Sequence, residues 1–179
     1  MGFFTRVFIF AFLMKMRKHI LYLLLGSNLG EKKKQINQAV DLIVAKIGPV
    51  IKQSSFYETE PWGFSSKENF LNKALQILTS LSPEEVMQKI GEIEKWFGRE
   101  RSGKSYSSRT MDIDILFYDG LVLDKEILKI PHPLIQDRRF VLVPLDEIAH
   151  ELVHPVFLKT IEELLRECSD SKVVRKFEE

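Results

Sequence analysis

Apolar residues along the chain follow two different spacings, and the first predicted elements show both. Every position from 20 to 25 is apolar, which is typical of a buried strand, and Gly26, Ser27 and Asn28 end that run. Apolar residues then recur at helical spacing before Gly48: Leu29, Ile36, Ala39, Val40, Ile43, Val44 and Ile47. The pattern therefore predicts a strand followed by a helix.

The middle of the chain predicts two strands separated by a loop. Residues 50–59 and 69–79 have strand character, whereas residues 60–66 contain a Pro-Trp-Gly stretch that does not suit a strand interior. Alternation in the second strand groups three side chains on one face: Phe70, Asn72 and Ala74.

The next helix has a clear start and is followed by a polar stretch. Ser82 and Glu85 have the spacing of a capping box, and Pro83 suits the first helical position. The apolar face of this helix extends as far as Gly98: Val86, Ile90, Ile93 and Phe97. Residues 99–110 lack apolar periodicity, which predicts a long mobile loop of a kind that is uncommon unless it is functional.

The pattern from residue 111 onwards completes the element order of a known fold. It predicts a strand at 111–118, a turn at Asp119 and Gly120, a returning hairpin strand within 121–130, an irregular stretch at 131–139, and helices at 140–148 and 160–167. The order β, α, β, β, α, β followed by a hairpin and helices predicts an α+β fold, the ferredoxin-like split βαβ sandwich. In that plan an antiparallel sheet carries its helices on one face, so we expect the other face to be open to a ligand.

Composition limits what this fold can do. A chain of 179 residues with 45% hydrophobic and 28% charged positions is ordinary for a globular protein, and we expect residues 17–179 to form one domain. The net charge of +1 supplies no overall field for nucleic acid or an anionic membrane. The single cysteine, Cys168, suits a reducing cytoplasm. These observations favour a cytoplasmic protein without nucleic-acid or membrane partners, in which a local cluster holds any anionic ligand. We expect a monomer or weak homo-oligomer.

Residues 1–16 are expected to be an N-terminal extension. The apolar run at 7–14 is far shorter than the ~20 residues that a membrane-spanning helix needs. Only Arg6 precedes this run, and no small-residue cleavage site follows it, so it is a poor signal peptide. Our hypothesis is that translation begins at Met14 or Met16.

Asp112 and Asp114 are the strongest candidates for a metal site. Two residues apart in a strand, they leave the same face, and paired carboxylates favour hard divalent ions such as Mg²⁺. The alternative is a harmless, solvated sheet face. Against it, Leu116 and Tyr118 are expected to continue the same face as apolar residues, so the carboxylates lie beside a covered surface.

Basic residues cluster beside this pair, against a nearly neutral whole. They are Lys95, Arg99, Arg101, Lys104 and Arg109. Guanidinium groups grip phosphate oxygens in bidentate fashion, so phosphates are natural ligands, although a solvated basic loop remains an alternative. A weaker second group is His132, Arg138 and Arg139, whereas His150 and His154 are expected to be structural.

Residues 98–105 read GRERSGKS and satisfy the phosphate-loop pattern GxxxxGK[ST]. A true phosphate loop follows a strand and opens a helix, whereas here a predicted helix precedes the motif and a strand follows it. We therefore do not interpret the segment as a phosphate loop, although its basic side chains can still contact phosphates.

Several longer motifs together carry a specific resemblance. They are LLLGSNLG (23–30), SSFYETEPWG (54–63), NFLN (69–72), SRTMDIDILFYDG (108–120), PHP (131–133) and RRFVLVPLDEIAHELVHP (138–155). In this order they resemble the 6-hydroxymethyl-7,8-dihydropterin pyrophosphokinases of folate biosynthesis, over about residues 20 to 160. The resemblance implies the same fold, and transfer of diphosphate from ATP to the pterin hydroxymethyl group with release of AMP.

The resemblance also implies roles for individual residues. Asp112 and Asp114 would hold two Mg²⁺ ions. The implied catalytic residues are Arg99, Arg101 and Arg109, of which Arg101 would close over the triphosphate. The implied nucleotide-binding residues are Glu94, Arg99, Arg109, Ile115, His132 and Arg138. The implied pterin-binding residues are Thr59, Trp62, Phe70, Asn72 and Phe140, with the pterin stacked between the two phenylalanine rings.

The chain departs from the family pattern in three places. Tyr106, Ser107 and Ser108 replace a usual Trp-Gly-Pro, which puts loop closure in doubt, Glu60 stands where many relatives have Pro, and Phe70 replaces a common Tyr. Two other functions remain as alternatives, a phosphate-loop NTPase and a nucleic-acid-binding module that uses the sheet face. The NTPase would release the nucleoside diphosphate instead of AMP, and the binding module would need a basic surface.

Overall fold

The computed structural model describes residues 17–60, 68–98 and 110–178. Its strands are β1 (His19–Ser27), β2 (Val50–Gln53), β3 (Tyr57–Thr59), β4 (Phe70–Thr79), β5 (Asp112–Tyr118), β6 (Leu123–Asp124), β7 (Lys129–Ile130) and β8 (Val174–Lys176). Its helices are α1 (Lys32–Lys46), α2 (Pro83–Trp96), α3 (Arg139–Ala149) and α4 (Ile161–Glu167). The predicted N-terminal extension, Trp62, Arg99, Arg101 and Arg109 lie outside the described residues, as does most of the GRERSGKS motif.

An antiparallel sheet organises the fold. Its strands follow the order β5-β1-β4-β3-β8, and β2 pairs with β4 beside β3. β1 and β4 are the central strands, which explains why residues 20–25 are apolar at every position: both of their faces are covered. This arrangement confirms the predicted α+β, ferredoxin-like fold class.

Two apolar cores lie on opposite faces of the sheet. The first core packs α1 and α2 against side chains that include Leu21, Leu23 and Leu25. The second core packs α3 and α4 against Leu24 and Ala74 and their neighbours. The second face is therefore more covered than we expected, because the C-terminal helices return onto it. Its covered part reaches Leu24, and the sheet continues beyond it to Ser27.

A β-bulge in β5 changes which residues share a face with the aspartates. Tyr22 pairs with Phe117 but Leu23 pairs with Ile115, so Leu116 is an extra residue on β5. Leu116 and Phe117 both belong to the second core, whereas Tyr118 packs in the first. The expectation that Tyr118 continues the face of Asp112 and Asp114 was wrong, because strand alternation does not survive a bulge.

The predicted hairpin also differs. β6 does not return along β5 but pairs with β7 in a separate two-stranded sheet. The outer edge of β5 is used differently: the Ile113 amide donates to the Glu94 carboxylate at 3.0 Å, and the His132 amide donates to the Leu116 carbonyl at 3.0 Å. These bonds occupy the edge that a returning strand would need.

Polar side chains account for the other boundaries. The predicted strand at 50–59 is divided near Ser54, whose hydroxyl takes the place of a backbone acceptor for the Ala74 amide at 2.9 Å. At the start of α2, Ser82 and Glu85 form the predicted capping box. Gly48 has φ +154°, and a Cβ there would lie 2.2 Å from the Leu78 carbonyl oxygen, so only glycine fits this predicted helix stop.

No helix in the described parts of the chain combines the length and the apolar character needed to cross a bilayer.

Candidate active site

The candidate site lies at the end of the second sheet face, around Gly26. In the strand register Gly26 lies between Asp112 on β5 and Asn72 on β4. Alternation places all three on the face of the second core, beyond Leu24 and Ala74. Two strand spacings separate the Cα atoms of Asp112 and Asn72 by about 10 Å. Gly26 places no side chain between the carboxylate and the amide, and this gap is buried rather than open, since Gly26 and Asn72 are both buried.

Asn72 and Thr59 form the polar side of this gap. Both are buried, and the Asn72 side-chain amide donates to the Thr59 hydroxyl at 2.9 Å. Thr59 faces Phe70 across the β3–β4 ladder, and a Cβ built on Gly26 would lie 3.9 Å from the Phe70 ring. The structure therefore brings together three of the predicted pterin-binding residues, with the amide orientation of Asn72 held by Thr59.

The start of α3 carries two further predicted site residues, Arg138 and Phe140. Phe140 lies in the first turn of α3 and packs against the second core, and the Arg138 guanidinium carbon is 5.7 Å from the centre of its ring. α3 is anchored at its other end by Glu147, which accepts from the Ser55 amide at 2.7 Å and from the Ser55 hydroxyl at 2.8 Å. Phe140 and Arg138 are thus held on a fixed helix rather than on a loose loop.

His132 lies close enough to Arg138 and Asp112 for both charges to change its pKa. Burial and, to a smaller extent, the Arg138 guanidinium lower the pKa of His132 to about 4, although the Asp112 carboxylate opposes the shift. Its Nδ1 atom accepts from the Leu134 amide at 3.2 Å. The imidazole is therefore neutral at pH 7 with its proton on Nε2, which makes that nitrogen a hydrogen-bond donor.

The low pKa of His132 predicts acid sensitivity of the fold. An unfolded histidine takes up a proton near its ordinary pKa of 6.5, whereas folded His132 does so only near 4. Its contribution to stability is therefore present above pH 6.5 and is lost as the pH falls towards 4, by at most ~3 kcal/mol. His132→Asn keeps an acceptor for the Leu134 amide and should lose less stability between pH 7 and 4.5, as measured by urea unfolding.

The control for this measurement is the exposed His150. A His150→Asn variant should show the same pH dependence of unfolding as the unmodified chain. An equal loss of stability with falling pH in the His132→Asn variant would contradict the assignment.

A cavity of about 250 Å³ lies along the outer edge of β5. Its lining includes the apolar Met87, Ile90, Ile113, Ile115 and Ile127 together with Asp114 and His132. More than half of its lining residues are apolar and Asp114 lies at its wall, so it suits a flat heterocycle whose charged part reaches that carboxylate. Pattern reasoning had no means to find Met87 and Ile90 here, because apolar residues on a helix face are normally core.

Two of the predicted nucleotide-binding residues, Ile115 and Glu94, lie on β5 or bond to it. The side chain of Ile115 packs in the first core, on the face opposite Asp112, and is also part of the cavity wall. Glu94 is buried, and its carboxylate accepts from the Ile113 amide, between the two aspartates. Glu94 therefore fixes the strand that carries the aspartates, whatever else it contacts.

The two aspartates of β5 form a donor set that fits a divalent cation. Asp112 and Asp114 are both half-buried on one face, and carboxylate oxygens are the ligands that Mg²⁺ prefers. Among the described residues no group of three or more histidine, cysteine, aspartate or glutamate side chains could hold a metal by itself. Two carboxylates with the rest of the shell supplied by water and phosphate fit Mg²⁺, which is typically bound in this way with nucleotides.

Comparison with known sequences gives one consistent family. The profile of the 7,8-dihydro-6-hydroxymethylpterin-pyrophosphokinase family matches residues 22–150. The 2-amino-4-hydroxy-6-hydroxymethyldihydropteridine pyrophosphokinase of Aquifex aeolicus is 39% identical over 142 residues, which are 79% of this chain and 88% of that protein. The protein of the same name from Methylorubrum extorquens is 39% identical over 155 residues, which are 86% of this chain and 96% of that protein.

Solved structures support the fold. A crystal structure of an HPPK-DHPS in complex with substrates has a TM-score of 0.69 at 14% identity, covering 85% of this chain and 43% of that chain. A Plasmodium falciparum HPPK-DHPS triple mutant with SDX-DHP has a TM-score of 0.69 at 19% identity, covering 87% of this chain and 46% of that one. The chain thus spans less than half the length of these solved proteins. The chain belongs to the 7,8-dihydro-6-hydroxymethylpterin-pyrophosphokinase family of ATP-dependent diphosphotransferases.

Proposed function

We propose that this chain transfers diphosphate from ATP to the hydroxymethyl oxygen of 6-hydroxymethyl-7,8-dihydropterin at the gap over Gly26, and that it releases AMP. The observation that carries the proposal is the row of Asp112, Gly26 and Asn72 across three neighbouring strands. It puts a carboxylate and a buried, hydrogen-bonding amide on either side of a residue without a side chain, and we propose that the substrate binds there. Family membership supports the reaction, and the row supports its location.

Asp112 and Asp114 are the residues that would hold two Mg²⁺ ions. Bound there, the ions would neutralise the charge of the nucleotide phosphates and help to orient them. The protein's own contribution is to hold both carboxylates on one rigid strand, which β1 supports on one side and the Glu94 carboxylate on the other.

The nucleotide would occupy the edge of β5. Its base fits the cavity lined by Met87 and Ile90, which leaves the phosphates beside Asp114. The neutral His132 can donate its Nε2 proton to a phosphate oxygen, and Arg138 supplies positive charge nearby. We propose the same task for Arg99, Arg101 and Arg109, on their motif positions alone.

The pterin would lie over Gly26 with its polar edge towards Asn72. The amide can both donate and accept, as a pterin edge requires, and Phe70 and Phe140 would stack on the two faces of the heterocycle. We propose Thr59 as the residue that orients Asn72, and Trp62 as a further contact by motif position. The hydroxymethyl group then points along the row towards Asp112.

In this arrangement the chemistry is a single displacement. The hydroxymethyl oxygen attacks the β phosphorus, the bond from that phosphorus to the oxygen bridging to the α phosphate breaks, and AMP leaves. The hydroxyl proton is released to solvent. Positioning and electrostatic stabilisation supply most of the catalysis in such transfers.

The test is an assay with ATP, Mg²⁺ and the reduced pterin alcohol. We expect AMP and the pterin diphosphate in equal amounts, and no AMP when the pterin is omitted. Release of ADP and inorganic phosphate without the pterin would support the phosphate-loop NTPase instead. That alternative is already disfavoured, since α2 rather than a strand precedes Gly98.

We also propose that this reaction takes place in the cytoplasm. The one cysteine, Cys168, carries no disulfide, which suits the reducing cytoplasm where ATP is abundant. We also propose that the chain acts as a monomer or weak homo-oligomer on small molecules.

Gly26→Ala should weaken pterin binding selectively. A Cβ at this position would lie 3.1 Å from Oδ1 of Asn72, so the amide must shift by a few tenths of an ångström. We expect the KM for the pterin to rise about tenfold while the KM for ATP stays within about twofold. Steady-state kinetics with each substrate varied in turn measure both values. Gly91→Ala is the matched control, since a Cβ there meets nothing within 4 Å.

A further inference from the structure

Gln35 lies on α1 with its side-chain amide among three oxygen atoms. One end of the amide is 2.9 Å from the Ser27 hydroxyl, 2.7 Å from the Leu29 carbonyl oxygen and 3.3 Å from the Thr110 carbonyl oxygen. Backbone carbonyls can only accept hydrogen bonds, so the atom that faces two of them is the amide nitrogen. Gln35 therefore donates to two separate segments, the turn after β1 and the residue that leads into β5.

These contacts lie where strand pairing stops. In the described residues the β1–β5 ladder ends with Gly26 opposite Asp112. Strand ends fray when no further bond holds them, and glycine adds backbone freedom at this end. On the β1 side the amide nitrogen of Gln35 contacts Ser27, the last residue of that strand, and Leu29 in the turn that follows; on the β5 side it contacts Thr110, two residues before that strand begins at Asp112.

Thr110 extends the connection to α2. Its hydroxyl donates to the Phe97 carbonyl oxygen at 2.6 Å, just after the last turn of that helix. One side chain on α1 thus links the end of β1 and the start of β5, and through Thr110 it reaches the end of α2. These are the elements that carry Gly26, Asp112 and Glu94.

We propose that Gln35 is a positioning residue for diphosphate transfer: its amide nitrogen clamps the open end of the β1–β5 ladder and so fixes Asp112 relative to Gly26 and Asn72. The catalytic part of this inference rests on the proposed function, because Asp112 matters for turnover only if it holds a metal. The clamp itself is a property of the protein without ligands. Mutation of residues that orient metal ligands indirectly typically lowers metal affinity or activity by roughly 10- to 100-fold.

The experiment compares Gln35→Met, which has similar length but no donor, with Gln38→Met on the same helix. Hydrogen–deuterium exchange of the ligand-free proteins should be about tenfold faster in Gln35→Met for amides of residues 111–114, and unchanged in Gln38→Met. Mn²⁺ binding in the presence of a non-hydrolysable ATP analogue, followed by electron paramagnetic resonance, should weaken about tenfold. In turnover assays the Mg²⁺ concentration for half-maximal activity should rise by a similar factor, while the KM for the pterin stays within about twofold.

The outcomes separate the two proposals. Unchanged exchange at 111–114 together with unchanged Mn²⁺ binding would overturn the clamp, as would a loss of melting temperature with no change in metal dependence. Faster exchange at 111–114 in a chain whose unmodified form makes no AMP would support the clamp and contradict the proposed function. If Gln35→Met does not fold, Gln35→Asn takes its place with the same expectations, since its amide is one methylene too short to reach both carbonyls.

Discussion

Replacing Asp112 or Asp114 by asparagine is expected to lower kcat by about a thousandfold or more, equivalent to ~4 kcal/mol of lost transition-state stabilisation. Asparagine preserves the shape of each side chain and removes only the charge. A neutral amide is a poor ligand for Mg²⁺ beside nucleotide phosphates, so phosphate charge would remain unneutralised during transfer. The loss should appear in kcat measured at saturating ATP and pterin.

Folding should survive this change. Both carboxylates are half-buried on the same face of β5, and removing one of two like charges relieves repulsion. We therefore expect melting temperatures close to that of the unmodified chain. Asp41→Asn, an exposed position on α1, is the matched control and should leave kcat unchanged. Near-normal turnover in both Asp112→Asn and Asp114→Asn would remove the metal role from these residues.

The sequence pattern was sufficient for the sheet and the helices because their signals are local. Capping at Ser82, the stop at Gly48 and the apolar run in β1 all arise within a few neighbouring residues. The same local logic predicted that Asp112 and Asp114 share a face. It could not predict the bulge at Leu116, because a bulge depends on the partner strand.

Features that depend on distant partners were missed for the same reason. β8 is a three-residue segment with no apolar alternation, and it becomes a strand by pairing with β3. The second core depends on α3 and α4 returning to Leu24 and Ala74, so the sheet face was expected to be open where it is covered.

The candidate site depends both on local sequence motifs and on the pairing of distant strands. Motif resemblance named Asn72, Thr59 and Phe70 individually, and the strand register explains why they meet. Gly26 was predicted only as the end of a strand. Its position between Asp112 and Asn72 follows from its pairing with both, which no single-strand pattern contains.

The second large effect is expected from Asn72→Leu, which should lower kcat/KM for the pterin about a hundredfold, or ~3 kcal/mol. Leucine is close to asparagine in size and offers no hydrogen bonds. The pterin edge would then be buried against an apolar side chain, and the Thr59 hydroxyl would lose its 2.9 Å donor. The effect should lie in the KM for the pterin and in its dissociation constant measured by fluorescence titration, with the KM for ATP little changed.

The Thr59→Val variant tests whether Thr59 contacts the pterin itself or only orients Asn72. If Asn72 contacts the pterin and Thr59 only orients it, Thr59→Val should lower kcat/KM by about five- to tenfold, and the double variant should be no worse than Asn72→Leu alone. Such non-additivity is expected if Thr59 acts only through Asn72, because Thr59 has no amide to orient once Asn72 is replaced. Strictly additive losses, or an Asn72→Leu defect confined to kcat, would instead place the pterin away from this pair of buried side chains.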